Sequence, residues 1–121
     1  MTPQERVTAF IDAFNAMQID AACDMLAADV VYHNIPMRPI EGREAARAFL
    51  KAMPNLERIE WEVLSTAANG DKVLNERVDR FFMSDGKSLA VRVMGVFKLH
   101  NDEIVEWRDY FDMQEFQSQV S

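Results

Sequence analysis

The chain has 121 residues, 49% hydrophobic and 27% charged, enough apolar surface for one core to outweigh the ordering entropy that keeps polar chains unfolded. A formal charge of −7 without any run of Lys or Arg repels phosphate backbones and anionic lipid surfaces, which argues against nucleic-acid and membrane partners. No apolar stretch approaches the ~20 residues of a bilayer crossing, the N-terminus reads as amphipathic helix rather than signal peptide, and the single Cys23 excludes an internal disulfide, so a cytoplasmic setting is expected.

From Pro3 to Met17, Val7, Phe10, Ile11 and Phe14 recur at helical spacing, with Thr2 as N-cap and Pro3 at the first helical position. A second, shorter helix is expected after the cap candidate Asp20, burying Ala22, Met25 and Leu26 until Asp29 and Val30-Val31 end the pattern. A short strand from Val30 to Asn34 follows. Pro36 and Pro39 remove backbone donors from Ile35 to Gly42, which therefore reads as a loop. The third helix is expected from Arg43 to Met53, with Ala46, Phe49, Leu50 and Met53 on one face and Pro54 closing it.

Beyond Pro54, turn signals at Asn69-Gly70, Asp85-Gly86 and Asn101-Asp102 separate four segments rich in Val, Ile, Leu, Phe and Trp. These predict strands over Ile59–Ala68, Lys72–Met83, Ser88–His100 and Glu103–Phe111, with a last short helix through Met113 and Phe116. The sum is an α+β fold in a single domain spanning residues 1–121. It is a cone-shaped, curved mixed sheet, largely an antiparallel meander, wrapped around three N-terminal helices and followed by a short C-terminal helix. The mouth of such a cone is an apolar pocket.

Strand parity then decides which charged residues share the interior. Asn75, Arg77 and Asp79 lie on one face of their strand; Val105, Trp107, Asp109 and Phe111 lie together on the last, and the aromatics mark that face as buried. An isolated carboxylate among aromatics costs several kcal/mol unless it is paired. Arg77 is the natural partner of Asp109, since its planar fork can hold two carboxylates and Asp79 sits two residues away. In the short strand Tyr32 and Asn34 share a face and carry groups able to hold a water, whereas His33 points the other way. Two carboxylates in unlike surroundings can divide the roles of acid and base, although an arginine between two aspartates is more often a structural ion network than a catalytic one.

The stretches Tyr32-His33-Asn34-Ile35-Pro36-Met37, Glu76-Arg77-Val78-Asp79, Gly95-Val96-Phe97 and Trp107-Arg108-Asp109-Tyr110-Phe111-Asp112 together resemble the limonene epoxide hydrolase family, within the superfamily of nuclear transport factor 2, ketosteroid isomerase and SnoaL-like proteins. The resemblance implies hydrolysis of a small apolar epoxide to a vicinal diol. In that scheme Asp109 is the base, Asp79 the acid, Arg77 the bridge between them, and Tyr32 and Asn34 the holders of the attacking water. It also implies no metal and no organic cofactor, and commonly a homodimer, for which Val78, Met94 and Val96 on the outward parity offer an apolar patch. Trp107, Phe111, Val93, Phe14 and Met25 are expected to line the substrate pocket. Two other readings remain: an isomerase or cyclase on the same fold, and a non-catalytic binding module whose ion network is structural.

Overall fold

The computed structural model describes residues 1–120. Helix α1 covers Pro3–Asn15 and α2 Ile19–Cys23; strands β1 (Leu26–Asn34) and β2 (Ile40–Glu41) precede α3 (Arg43–Leu50). Strands β3 (Leu56–Asn69), β4 (Lys72–Met83), β5 (Ser88–His100) and β6 (Glu103–Tyr110) follow, and α4 spans Met113–Val120.

At the start of α1 the Thr2 hydroxyl accepts from the Glu5 amide at 3.1 Å while the Glu5 carboxylate accepts from the Thr2 amide at 2.9 Å, a reciprocal cap that satisfies two otherwise orphaned donors. The buried stripe Val7, Phe10, Ile11, Phe14 lies against the sheet. Phe10 meets Trp107 edge-on at 4.9 Å and Phe97 at 6.0 Å, and Phe14 stacks on Trp61 at 4.4 Å. One short helix thus touches β3, β5 and β6 at once, which requires the sheet to curl around it.

The sheet runs β2-β1-β6-β5-β4-β3. Every neighbouring pair is antiparallel except β1 and β6, which lie parallel with Tyr32 beside Trp107 and Asn34 beside Asp109. The free edge of β3 is partly covered by a side chain: Asn15 donates to the Trp61 carbonyl at 3.0 Å and accepts from the Trp61 amide at 2.7 Å, imitating a neighbouring strand.

Several boundaries differ from the sequence reading. The second helix stops at Cys23, and Met25 and Leu26 are not on it; Leu26 opens β1 opposite Ile104, and the Met25 carbonyl accepts from the Ile104 amide. Pairing with β6 outweighs helical periodicity there, as tertiary context often does in short segments. The expected loop contains β2, paired Ile40 to Tyr32 and Glu41 to Val31, just past Pro39 where amides become available again. α3 ends at Leu50, because Pro54 disfavours helical geometry at Met53 and the Lys51 amide already closes the last turn on Arg47. The parity read for β6 also needs correction. The register with β5 jumps between Lys98–Glu106 and Leu99–Ile104, leaving Val105 as a bulge; Ile104, not Val105, points inward and is fully buried.

Phe10 is fully buried at the crossing of helix and sheet. Phe10→Ala is expected to lower unfolding free energy by about 3–5 kcal/mol, read from chemical denaturation.

Candidate active site

From Lys72 to Asp79, strand β4 alternates strictly. Val73, Asn75, Arg77 and Asp79 are buried, while the intervening Leu74, Glu76 and Val78 are exposed or half-exposed. The inward row is therefore three polar residues long, and they must satisfy one another. Arg77 donates through Nε to Asp79 Oδ1 (2.9 Å), through Nη2 to Asp79 Oδ2 (3.0 Å) and Asp109 Oδ2 (3.0 Å), and through Nη1 to Asn75 Oδ1 (2.8 Å). It is wholly buried, with Trp61 and Phe97 rings 5.5 and 5.9 Å from the guanidinium carbon.

The space for that guanidinium comes from an absent side chain. Asn75, Gly95 and Asp109 lie in register on β4, β5 and β6, so Gly95 sits between the two polar side chains. A Cβ there would run into Arg77 Nη1 and stand 2.9 Å from Asn75 Oδ1 and 3.0 Å from Asp109 Oδ1. The same row continues through the parallel β1–β6 pairing to Asn34, whose side chain accepts from the Tyr32 hydroxyl at 3.3 Å. Tyr32 stacks on Trp107 with ring centroids 4.0 Å apart, and Trp107 Nε1 donates to Asp109 Oδ1 at 2.9 Å. Asp109 is thus held from two sides, by an indole on one oxygen and a guanidinium on the other.

Burial and neighbours set the charges. Burial pushes the Asp79 carboxyl up to about 6, against the opposing pull of Arg77 and its hydrogen bonds. For Arg77 burial works against the charge, but the Asp109 and Asp79 carboxylates outweigh it and hold the guanidinium more firmly protonated than usual. Burial, reinforced by the Asp109 carboxylate, raises the Tyr32 phenol, which stays a donor.

These polar groups open on a cavity of about 950 Å³ whose lining includes Tyr32, Asn34, Asp79 and Asp109 among mostly apolar residues. Of the expected substrate contacts, Phe14, Val93 and Phe111 line it. Trp107 and Met25 are not in its wall: Trp107 is fully buried behind Asp109 as its hydrogen-bond donor, and Met25 packs on the core beneath α1. Trp61, Phe81, Phe49 and Phe116 are wall residues that the sequence reading did not assign to the site. Trp61 had a signal in its parity with Ile59, whereas Phe116 reaches the cavity only because α4 folds back. β6 ends opposite Met94, so the Ala90 and Arg92 backbone, paired with β4 on one side, has no strand on the other. The Gln119 amide pairs with both backbone groups of Ala90 at 2.9 and 2.8 Å, and Glu115 accepts from the Arg92 amide at 3.1 Å and its guanidinium at 3.0 Å. That docking brings Phe116, Gln119 and Val120 into the cavity wall. Among the described residues no group of three His, Cys, Asp or Glu side chains gathers as a metal ion would need, and no helix is long and apolar enough to cross a membrane.

An open mixed sheet curled around a helix, with an aspartate pair clamped by a buried arginine at an apolar cavity, places the chain in the cone-shaped α+β class. The model of the limonene-1,2-epoxide hydrolase catalytic domain matches residues 1–121, and the chain belongs to that family. It is 31% identical over 107 residues to a protein named epoxide hydrolase EphG from Mycobacterium tuberculosis, covering 88% of this chain and 71% of that one. A limonene-epoxide-hydrolase-like epoxide hydrolase structure from M. tuberculosis superposes with a TM-score of 0.83 at 28% identity, over 96% of this chain and 86% of the other. The fold is shared more widely: a putative polyketide cyclase from Pseudomonas putida superposes with a TM-score of 0.85 at 21% identity, over 100% and 99% of the two chains.

The raised Asp79 carboxyl has a consequence for stability. A folded-state pKa above the ordinary 3.8 favours the fold while the group is protonated, and that contribution is lost as pH rises through about 6. Measured against Asp79→Asn, the wild-type protein is expected to lose on the order of 2 kcal/mol between pH 4 and pH 7 in denaturation experiments.

Proposed function

We propose that the protein adds water to a small apolar epoxide, giving a vicinal diol in one acid–base step without a covalent intermediate. The observation that carries this reading is the pair of carboxylates with unlike surroundings, joined by one buried guanidinium at the wall of an apolar cavity. Family membership and the name of the M. tuberculosis relative support it.

In the proposed step Asp109 is the base. Tyr32 and Asn34 hold a water beside it, the water oxygen attacks an epoxide carbon, and its proton passes to Asp109. The carbon–oxygen bond of the strained ring breaks, and Asp79 delivers its proton to the departing oxygen. Burial suits Asp79 to this role by raising it to about 6, so that it still holds a proton in the weakly acidic range where an ordinary carboxyl has lost it. At the end of the step Asp109 carries a proton and Asp79 has lost one, so Asp109 releases its proton to solvent and Asp79 takes one up before the next turnover. Attack opposite the leaving oxygen inverts the carbon. Phe14, Val93 and Phe111 hold the apolar body of the substrate.

In water enriched in heavy oxygen, incubation with cyclohexene oxide, styrene oxide and limonene oxide is expected to yield diol carrying one labelled oxygen. Asp109→Asn should lower kcat by roughly a thousandfold or more with the fold intact, and wild-type kcat/KM should decline above about pH 6 as free Asp79 ionises. No diol from any epoxide, or an active Asp109→Asn, would overturn the assignment.

The reading is accompanied by a homodimer in a cytoplasmic setting. On the outer face of the sheet Met94 is 43% and Tyr110 44% exposed beside half-buried Val78 and Val96, a patch a second copy would cover. Light scattering at micromolar concentration is expected to give twice the chain mass, and Met94→Lys to shift it toward the monomer.

A further inference from the structure

Asn75 has no part in the step described above, yet it is 2% exposed and supplies the one neutral acceptor among the described partners of the guanidinium. A guanidinium only donates, so the amide oxygen of Asn75 must face it and the amide nitrogen must face away. That far side is not solid core. A second, solvent-facing cleft of about 230 Å³ lies beside α1, and Asn75 forms part of its floor with Trp61, below the exposed Thr8, Asp12, Asn15 and Thr66. Asn75 therefore separates the carboxylate pair from a polar cleft roomy enough for several waters.

We propose that Asn75 is a positioning residue that fixes the protonation state of the aspartate pair: by accepting Arg77 Nη1 without bringing charge, it leaves one cation facing two anions, a cluster that one added proton neutralises. The proposal rests on the epoxide-hydrolase reading for its catalytic meaning. A carboxylate in the same place could make the same hydrogen bond with nearly the same shape. It would put three anions around one cation among residues no more than 5% exposed, and the cluster would then need two protons to be neutral. Both Asp79 and Asp109 would be harder to ionise, and the base would be protonated when it should accept.

The groups that could compensate are few. From β4 the neighbours are Arg77 and Asp79, from β6 Asp109, from β1 the Tyr32 phenol, and from α1 Asp12 across the cleft. On β5 the residue in register is Gly95, which offers nothing. Arg77 is the single cation in that set, and four of its five donors are already committed to Asn75, Asp79 and Asp109.

The test is Asn75→Asp beside Asn75→Ala in the full chain, with three readouts: carboxyl titration by carbon-13 NMR, thermal stability against pH, and kcat and KM on whichever epoxide is turned over. Asn75→Asp is expected to move the carboxyl titrations of the site upward by at least about one unit, and to lower kcat at neutral pH about tenfold or more with KM within about twofold. Activity should return in part at acid pH, where the introduced carboxyl is neutral and resembles the amide. Asn75→Ala admits water instead of charge and should leave the titration midpoints in place. An unshifted titration in Asn75→Asp, or an equal shift in Asn75→Ala, would overturn the proposal. Should Asn75→Asp fold only below about pH 5, that supports it, because a carboxyl raised in the fold stabilises only while protonated. Failure to fold at any pH, even where the introduced carboxyl is neutral, would show that the amide nitrogen and not the absence of charge is what the position requires, and the proposal falls. If the wild-type protein opens no epoxide, the functional reading fails by itself, while the titrations and stabilities still judge Asn75.

Discussion

A guanidinium removed from water needs anions, and anions removed from water need a cation; the centre of this protein is built on that mutual dependence. Arg77 directs its donors to Asn75, Asp79 and Asp109, three side chains from two strands separated by a third. Losing any one of them leaves a charge or a donor unpaired in low dielectric, which costs more than the intact cluster contributes. The cluster is therefore all or nothing, a condition that also suits a site where proton positions must be controlled.

The sheet serves this cluster through one missing side chain and one unusual pairing. Gly95 clears a slot between Asn75 and Asp109 just wide enough for the guanidinium of the neighbouring row. The parallel pairing of β1 with β6 brings Asn34 into the row of Asp109, and Tyr32 onto the face of Trp107. Tyr32, Asn34, Arg77, Asp79 and Asp109 are thereby held by the backbone registers of four strands, which gives them little freedom to drift. Rigid elements of this kind hold a reacting group more tightly than loops do.

The cavity, by contrast, is enclosed by pieces with weaker holds. α4 buries none of its own residues and is tethered by amide and carboxylate side chains that take the place of a strand where β6 stops short. Asn15 treats the opposite edge of the sheet in the same way. Side-chain amides are suited to this because they offer a donor and an acceptor at peptide-like spacing. The polar centre is thus fixed in geometry while the apolar walls come from separate elements, an arrangement in which substrate shape and chemistry are set by different parts of the chain.

Local rules determined much of this. Helical spacing and the Thr2 cap located α1, turn residues located the four long strands, and the period of two placed Asn75, Arg77 and Asp79 on one buried face. Those features depend on neighbours in the chain, so they are written in short windows of sequence. Tertiary structure decided what depends on partners far away: Leu26 left a helical pattern to pair with Ile104, Val105 bulged out and exchanged places with Ile104, and Trp107 turned from pocket wall into the support of Asp109. The fold back of α4, which makes Phe116 a wall residue, answers to unpaired backbone at Ala90 and Arg92, atoms whose vacancy exists only once β6 has ended. Parity could say which side chains face inward; only the register between strands could say which of them meet.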